Sequence, residues 1–121
     1  DRLLSLQGNA PDVIPVLRNL AGQMPTLNAA ADRIEARLAA LSKRGIDVAN
    51  LAFEGSFGRT ALEYYDGFVF GFLAPSRPDW PPVSTGGRYD ALTRALGKGR
   101  EIPAVGGVIR PGLVLELKDT R

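Results

Sequence analysis

The chain has 121 residues, and 45% of them are hydrophobic, which is enough for one small core. Its formal net charge is +2, from 15 basic and 13 acidic residues that form no basic cluster, so we expect no nucleic-acid partner. It contains no cysteine and no histidine, which excludes disulfides, thiolate or imidazole metal sites and histidine bases, and it has no apolar run long enough to span a bilayer. We therefore expect a soluble cytoplasmic protein with no membrane partner.

The first third of the chain shows helical periodicity. The leucines before Gly8 are expected to finish a helical turn, and Asn9 is the predicted N-cap of a short amphipathic helix that Gly22 ends. A second helix is predicted to begin at a Thr26 cap and to end with Gly45 at the C′ position. Its apolar stripe consists of Leu27, Ala30, Ile34, Leu38 and Leu41.

From Ile46 onwards the apolar period changes towards that of strands. Three phenylalanines alternate over residues 68–72, which predicts a strand with one aromatic face. Residues 74–82 include four prolines and predict an exposed loop between antiparallel strands. Trp80 in this loop either covers the core or contacts a partner.

The last third is predicted to alternate strand and helix. A short strand over 83–85 leads to a helix over 88–96, and 103–109 is predicted to be a buried strand. Residues 113–118 fit either a helix or a strand. Helices gathered before antiparallel strands favour the α+β class.

Several polar side chains near the predicted strand ends can form a ligand site. They are Tyr64, Tyr65, Tyr89, Glu63, Arg59 and Arg88. Tyrosines supply hydroxyls and flat apolar walls, a carboxylate binds an ammonium or ring N–H, and arginines bind a carboxylate or phosphate. Such a set binds a small polar molecule without catalysing a reaction. The alternative is that the tyrosines are half-buried at strand ends and the charges are simply exposed.

Two further patterns are weaker. Gly86 and Gly87 before a helix form either an ordinary tight turn or a backbone cradle for an anion. Asp66, Asp90 and Glu63 supply enough carboxylates for a magnesium site, but their spacing does not require one. We therefore expect no metal and no cofactor.

Three linked blocks resemble the histidyl-tRNA synthetases. Leu-Glu-Tyr-Tyr-Asp-Gly-Phe-Val-Phe at residues 62–70 is similar to their histidine signature, Arg-Gly-Leu-Asp-Tyr-Tyr-Thr-Gly followed by an apolar strand. Gly-Gly-Arg-Tyr-Asp-Ala-Leu at 86–92 resembles the next block, and Pro-Ala-Val-Gly at 103–106 the entry into the last class II motif. The resemblance implies the class II synthetase fold, an antiparallel sheet flanked by helices, with histidine held near Tyr65 and Tyr89.

One departure from the synthetase motifs distinguishes the synthetases from the regulatory proteins that resemble them. In the synthetases the last motif continues to Gly-Leu-Glu-Arg, whose arginine holds the ATP phosphates, whereas the corresponding residues 110–113 are Arg-Pro-Gly-Leu. This change resembles the regulatory subunits of ATP phosphoribosyltransferase, a synthetase-like family without aminoacylation activity. The alternatives are a divergent histidine-tRNA ligase in which Arg110 takes the lost role, and a structural module of this fold without a ligand.

The resemblance to the regulatory subunits also implies partners. It implies a hetero-oligomer, a hetero-octamer in that family, with the short-form catalytic subunit of ATP phosphoribosyltransferase, and histidine as feedback inhibitor of the first step of histidine biosynthesis. We expect residues 1–121 to form a single domain or the C-terminal portion of a class II synthetase-like domain, because the first two class II motifs precede these blocks in the family.

Overall fold

The structure, a computed structural model, describes residues 2–57 and 65–119. The chain divides into two compact units, Asp1–Ser56 and Phe57–Arg121. Each unit combines helices with antiparallel strands, so the predicted α+β class is confirmed. Within the described ranges, every helix is too short or too polar to cross a lipid bilayer.

The first unit pairs two short strands around two helices. Its elements are β1 (Gln7–Asn9), α1 (Ala10–Leu20), α2 (Thr26–Lys43), a 3-10 turn (Val48–Asn50) and β2 (Ala52–Glu54). The strands are antiparallel, with Gly8 opposite Phe53. The helical turn predicted before Gly8 is only partly present: residues 2–5 form a turn, with the Leu6 N–H donating to the Leu3 carbonyl at 3.3 Å, but they are not helical. Gly8 itself belongs to a strand that pairs with a segment more than 40 residues away in sequence.

The core of the first unit lies between its two helices. Val13 and Leu17 of α1 are buried against Ala31 of α2, which has no exposed surface. The small side chain of Ala31 lets the two helices approach closely at this point. Arg18 of α1 reinforces the contact with ion pairs to Asp32 at 2.9 Å and Glu35 at 2.7 Å. The apolar stripe predicted for α2 contributes to this packing, since Leu38 is buried and Ile34 packs against the core.

The two helices differ in how the backbone groups at their ends are capped. Asn9 occupies the N-cap position of α1 as predicted, but its side chain makes no capping hydrogen bond. Thr26 is the first residue of α2 rather than its cap. Gly45 has a φ of +81° and donates its N–H to the Ser42 carbonyl at 2.9 Å, while Ile46 donates to Leu41 at 3.2 Å. These two bonds form the glycine-dependent Schellman ending that the sequence predicts.

The second unit is a three-stranded antiparallel sheet with two helices. Its elements are β3 (Val69–Phe72), β4 (Ser84–Arg88), α3 (Asp90–Leu96), β5 (Val105–Ile109) and α4 (Pro111–Asp119). β4 is the central strand and pairs with β3 on one side and β5 on the other. The predicted loop between β3 and β4 is confirmed. The ambiguous segment 113–118 is helical.

The three phenylalanines of residues 68–72 share one face of this sheet, as predicted. The ring centroids of Phe68 and Phe70 are 6.0 Å apart, and those of Phe70 and Phe72 are 5.9 Å apart. Successive residues of a strand point to opposite faces, so Val69 and Gly71 belong to the other face. The face that carries these three phenylalanines is therefore distinct from the opposite face, which has small residues at its centre.

Two predictions for the second unit are wrong: the start of its first helix and the burial of β5. The helix predicted over residues 88–96 begins at Asp90, because Arg88 is still part of β4 and pairs with Val105. β5 is not buried: Val105 is 59% exposed and Ile109 is 65% exposed. β5 pairs with β4 alone in the part of the chain that the structure describes, which makes it an edge strand there, and four of its five residues are exposed.

Candidate functional site

Tyr65 and Tyr89 come together on the face of the sheet opposite the phenylalanines. Tyr65 lies four residues before β3, and Tyr89 lies between the end of β4 and the start of α3. Their ring centroids are 6.3 Å apart, and the ring planes are tilted by 44°. Both side chains are half-buried. Two tyrosines separated by 24 positions in the sequence thus form one contact, which we call the tyrosine pair.

Glycines make the floor beneath the tyrosine pair. Gly87 of β4 lies directly opposite Gly106 of β5. A methyl group added to Gly87 would lie 2.9 Å from Cδ1 of Tyr65, and one added to Gly106 would lie 2.8 Å from the Tyr89 hydroxyl oxygen. Both distances are shorter than ordinary van der Waals contact. The rings can lie against the backbone of the sheet only because these two positions lack a side chain.

A second glycine pair serves the opposite face. Gly86 lies opposite Gly107, and the ring of Phe70 packs against both positions. Neither the tight turn nor the anion cradle expected of Gly86 and Gly87 is present. Both residues are in the middle of a central strand whose N–H groups pair with neighbouring strands, so that they are not presented to a ligand.

Asp66 connects the tyrosine segment to the start of α3. Its Oδ1 accepts the N–H of Asp90 at 3.1 Å, and its Oδ2 accepts the N–H of Ala91 at 2.8 Å. Its own N–H donates to the Arg88 carbonyl at 3.0 Å. These bonds satisfy N–H groups that a helix leaves unpaired at its N-terminus.

Asp90 performs a similar role on the other side of Tyr89. Its Oδ1 accepts the N–H of Ala104 at 2.8 Å, and its Oδ2 accepts Nε of Arg88 at 2.6 Å. The Ala104 N–H and the Arg88 guanidinium hold the pKa of the Asp90 carboxyl below its ordinary value. Tyr89 itself donates its N–H to the Ala104 carbonyl at 3.0 Å, so three hydrogen bonds fix the backbone around it to neighbouring segments.

The carboxylates considered for magnesium therefore have structural partners. Within residues 2–57 and 65–119, the side chains of histidine, cysteine, aspartate and glutamate form no group of three that could hold a metal ion. Asp66 and Asp90 accept backbone and guanidinium N–H groups instead of facing a common cation.

The predicted site residues have different positions in the structure. Tyr65 and Tyr89 are brought together, and Arg88 directly precedes Tyr89 but is bound to Asp90. The stem of Arg88 also packs against Gly67, where an added methyl would lie 2.9 Å from its Cβ. Arg88 therefore has a structural role in addition to any contact with a ligand. The other three predicted residues, Arg59, Glu63 and Tyr64, lie outside the described residues.

Arg110 lies at the end of β5 and binds the loop between β3 and β4. Its Nη1 donates to the Pro82 carbonyl at 2.9 Å, and its backbone N–H donates to the Val83 carbonyl at 2.9 Å. In the same loop the Arg77 guanidinium lies 4.2 Å from the centroid of the Trp80 ring. Trp80 is half-buried and stacks on a residue of its own loop.

The arrangement of the tyrosine pair suits binding rather than proton transfer. It offers phenolic hydroxyls and aromatic walls, which suit a small planar polar group, while the glycine backbone beneath supports the two rings. Sequence reasoning found the tyrosines through residue type and motif. It missed the Asp66 and Asp90 hydrogen bonds, because Asp66 binds the start of α3 from 24 residues earlier in the sequence and Asp90 binds Ala104 from 14 residues earlier.

Comparison with known proteins places these features in a family. The histidyl-tRNA synthetase family model matches residues 1–111. The chain is 41% identical to the ATP phosphoribosyltransferase regulatory subunit of Allorhizobium ampelinum over 81 residues, which cover 67% of this chain and 21% of that protein. It is 35% identical to the protein of the same name in Agrobacterium fabrum over 106 residues, which cover 87% of this chain and 28% of that protein.

A further relative of the same name, from Brucella anthropi, is 39% identical over 80 residues, or 66% of this chain and 21% of the relative. The chain thus spans between about a fifth and somewhat more than a quarter of the length of the curated relatives it matches. No solved structure matches it. The resemblance to synthetase-like regulatory subunits is confirmed, and the chain belongs to the histidyl-tRNA synthetase family.

Proposed function

We propose that this chain is part of a non-catalytic regulatory subunit of ATP phosphoribosyltransferase. The observation that carries the proposal is the junction between β5 and α4. At this junction the synthetase motif ends in an ATP-binding arginine, and this chain has Leu113 at the corresponding position, in the first turn of α4. An apolar side chain there cannot stabilise charge on a phosphoryl group, and removing such a cation typically costs orders of magnitude in rate.

Arg110 is a poor substitute for the missing arginine. It lies three residues before Leu113, and Nη1 of its guanidinium is bound to the Pro82 carbonyl. Its backbone N–H is bound to the Val83 carbonyl as well, so the residue is fixed to the loop between β3 and β4 by both main chain and side chain. A phosphate contact by Arg110 would have to use its remaining N–H donors from this fixed position, three residues before that of the synthetase arginine. This geometry favours a regulatory subunit over a divergent histidine-tRNA ligase.

The tyrosine pair is the proposed site for histidine. An imidazole ring is planar and carries both a hydrogen-bond donor and an acceptor when neutral, which matches two tyrosine rings with hydroxyls above a glycine floor. Tyr65 and Tyr89 would hold the ring, and Glu63, Tyr64, Arg59 and Arg88 would complete the site around the amino-acid group. Histidine bound here would report the level of the pathway's end product to the catalytic subunit.

The relatives' name supports a partnership with the catalytic subunit of ATP phosphoribosyltransferase. We infer that the full protein assembles with the short-form catalytic subunit in the cytoplasm, as a hetero-octamer, and is required for its activity in the first step of histidine biosynthesis. Histidine bound to the assembly would inhibit that step.

The test uses the full-length protein that contains this chain. Histidine-dependent ATP–pyrophosphate exchange is measured first, followed by stimulation of a purified short-form catalytic subunit and its inhibition by histidine. We expect stimulation without exchange. Exchange without stimulation would refute the proposal and identify a histidine-tRNA ligase.

Two variants sharpen this test. Tyr89→Phe removes one hydroxyl from the proposed histidine site while keeping the ring, so we expect weaker inhibition by histidine with intact stimulation. Leu113→Arg restores a cation at the position of the synthetase arginine and serves as the control for the ATP site. If the parent protein shows ATP–pyrophosphate exchange and Leu113→Arg shows the same exchange rate, position 113 does not decide between the two functions.

A further inference from the structure

Asp66 links the two chain segments that carry Tyr65 and Tyr89. It directly follows Tyr65 in sequence, and its carboxylate binds the N–H groups of the two residues that follow Tyr89. Its main-chain N–H binds the carbonyl of Arg88, the residue that precedes Tyr89. Three hydrogen bonds therefore join the backbone next to one tyrosine to the backbone on both sides of the other.

Both oxygens of the Asp66 carboxylate are used. Oδ2 accepts from Ala91 at 2.8 Å and Oδ1 from Asp90 at 3.1 Å, a geometry that one side chain achieves only with two acceptor atoms. The carboxylate is also negative at the start of α3, where unpaired N–H groups favour an anion. The synthetase signature has threonine at this position, and a single neutral hydroxyl would not provide two separate acceptor oxygens.

The carboxylate has no competing role among the residues that the structure describes. The pKa of the Arg94 guanidinium is raised chiefly by its hydrogen bond to Glu101, and the charge of Asp66 is only a minor contributor. Asp66 is exposed to solvent, so it does not fill the core of the unit. The hydrogen bonds of Asp66 to described residues all go to the segment that carries Tyr89.

We propose that Asp66 is a positioning residue for the tyrosine pair. It holds Tyr65 and Tyr89 in register above Gly87 and Gly106, and through them it sets the affinity for a small planar ligand. This inference rests on the proposed histidine site. Without the Asp66 bonds the Tyr65 segment can separate from the start of α3, and only the fraction of molecules with the segment attached binds at full affinity.

The experiment measures histidine binding to the full-length protein by isothermal titration calorimetry, together with its melting temperature. Asp66→Ala removes both acceptor oxygens, and we expect it to weaken histidine binding about threefold to tenfold, the scale of one helix cap. Asp66→Asn keeps one acceptor and should lie between Asp66→Ala and the parent. Glu101→Gln is the matched control, because it neutralises a carboxylate that pairs with Arg94 of α3 at 2.7 Å rather than with the backbone beside Tyr89.

A double-mutant cycle distinguishes positioning from general stabilisation. If Asp66 acts through Tyr65, the loss of affinity in Tyr65→Phe combined with Asp66→Ala should be smaller than the sum of the two separate losses. A strictly additive cycle would overturn the inference, as would an Asp66→Ala affinity equal to that of Glu101→Gln. If Asp66→Ala does not fold, the Asp66→Asn comparison decides in the same way. A parent protein that binds no histidine would instead refute the proposed histidine site, and the inference with it.

Discussion

Gly106→Ala tests whether the glycine floor is needed for the ligand site. The added methyl would lie 2.8 Å from the Tyr89 hydroxyl oxygen and 3.3 Å from its Cε1. Ordinary contact begins near 3.4 Å, so the hydroxyl must move away by about 0.6 Å. The atom that must move is the far end of a side chain and not backbone, which makes the displacement possible without opening the sheet.

We therefore expect Gly106→Ala to weaken ligand binding more than it lowers the stability of the fold. Replacing a strand glycine by alanine restricts the unfolded chain, which stabilises a protein by about 0.4–1 kcal/mol and offsets part of the steric cost. A ligand hydrogen bond to the Tyr89 hydroxyl contributes about 0.5–1.5 kcal/mol, and a 0.6 Å shift is enough to lose much of it. We expect histidine affinity to fall about threefold to tenfold, with a free energy of unfolding within about 1 kcal/mol of the parent.

The assay is calorimetric titration of the full-length protein with histidine, combined with urea denaturation. Gly112→Ala is the control, because a methyl group there meets nothing within 4 Å and lies on α4, away from the tyrosines in sequence. If the parent binds histidine and Gly106→Ala binds it with the same affinity, the proposed contact between the Tyr89 hydroxyl and histidine is refuted. Loss of folding would refute the argument that only the tyrosine has to move.

Three further predictions concern stability. Gly86→Ala would press a methyl against the Gly106 carbonyl and to within 2.5 Å of the Phe70 ring. Urea denaturation should therefore show that the free energy of unfolding falls by about 1–3 kcal/mol. A fall no larger than that of Gly106→Ala would contradict the distinction between the two faces of the sheet. Gly112→Ala should stabilise α4 by about 0.5–1 kcal/mol in the same experiment, and no gain would show that helix propensity does not limit this segment. Because the pKa of Asp90 is lowered in the folded state, its contribution to stability is fully present above the pKa of an unfolded aspartate and is lost as the pH falls through the folded value. The melting-temperature difference between parent and Asp90→Asn should therefore be constant near neutral pH and shrink in acid, whereas a difference that is the same at every pH would exclude the carboxylate charge as its cause.

Much of the fold could be predicted from local pattern. The alternating phenylalanines identified β3 and its aromatic face, and the prolines of residues 74–82 identified the loop. Gly45 identified the end of α2 through a conformation that favours glycine. Each of these features depends on a few neighbouring residues, which is why the sequence alone was sufficient.

The features that were missed depend on contacts between distant segments. Gly86 and Gly87 have low strand propensity, yet they lie in the central strand because β3 and β5 pair with them on both sides. The hydrogen bond from Asp90 to Asp66 joins residues 24 positions apart. β5 has the composition of a buried strand, and its exposure follows from what packs on it, which composition does not encode. The tyrosine pair was predicted because motif and residue type both marked it.

The two facing glycine pairs also affect how this sheet holds together. A sheet normally gains stability from side chains that contact each other across neighbouring strands, and the centre of the pairing between β4 and β5 has no such side chains to contribute. Cohesion there comes from backbone hydrogen bonds and from the rings of Tyr65, Tyr89 and Phe70, which are attached at the edges of the glycine region. A displacement that lifts a whole ring off the sheet would therefore remove part of the packing that holds these strands, whereas the small shift expected of the Tyr89 hydroxyl in Gly106→Ala would not. In this way the site and the mechanical integrity of the sheet depend on the same few residues.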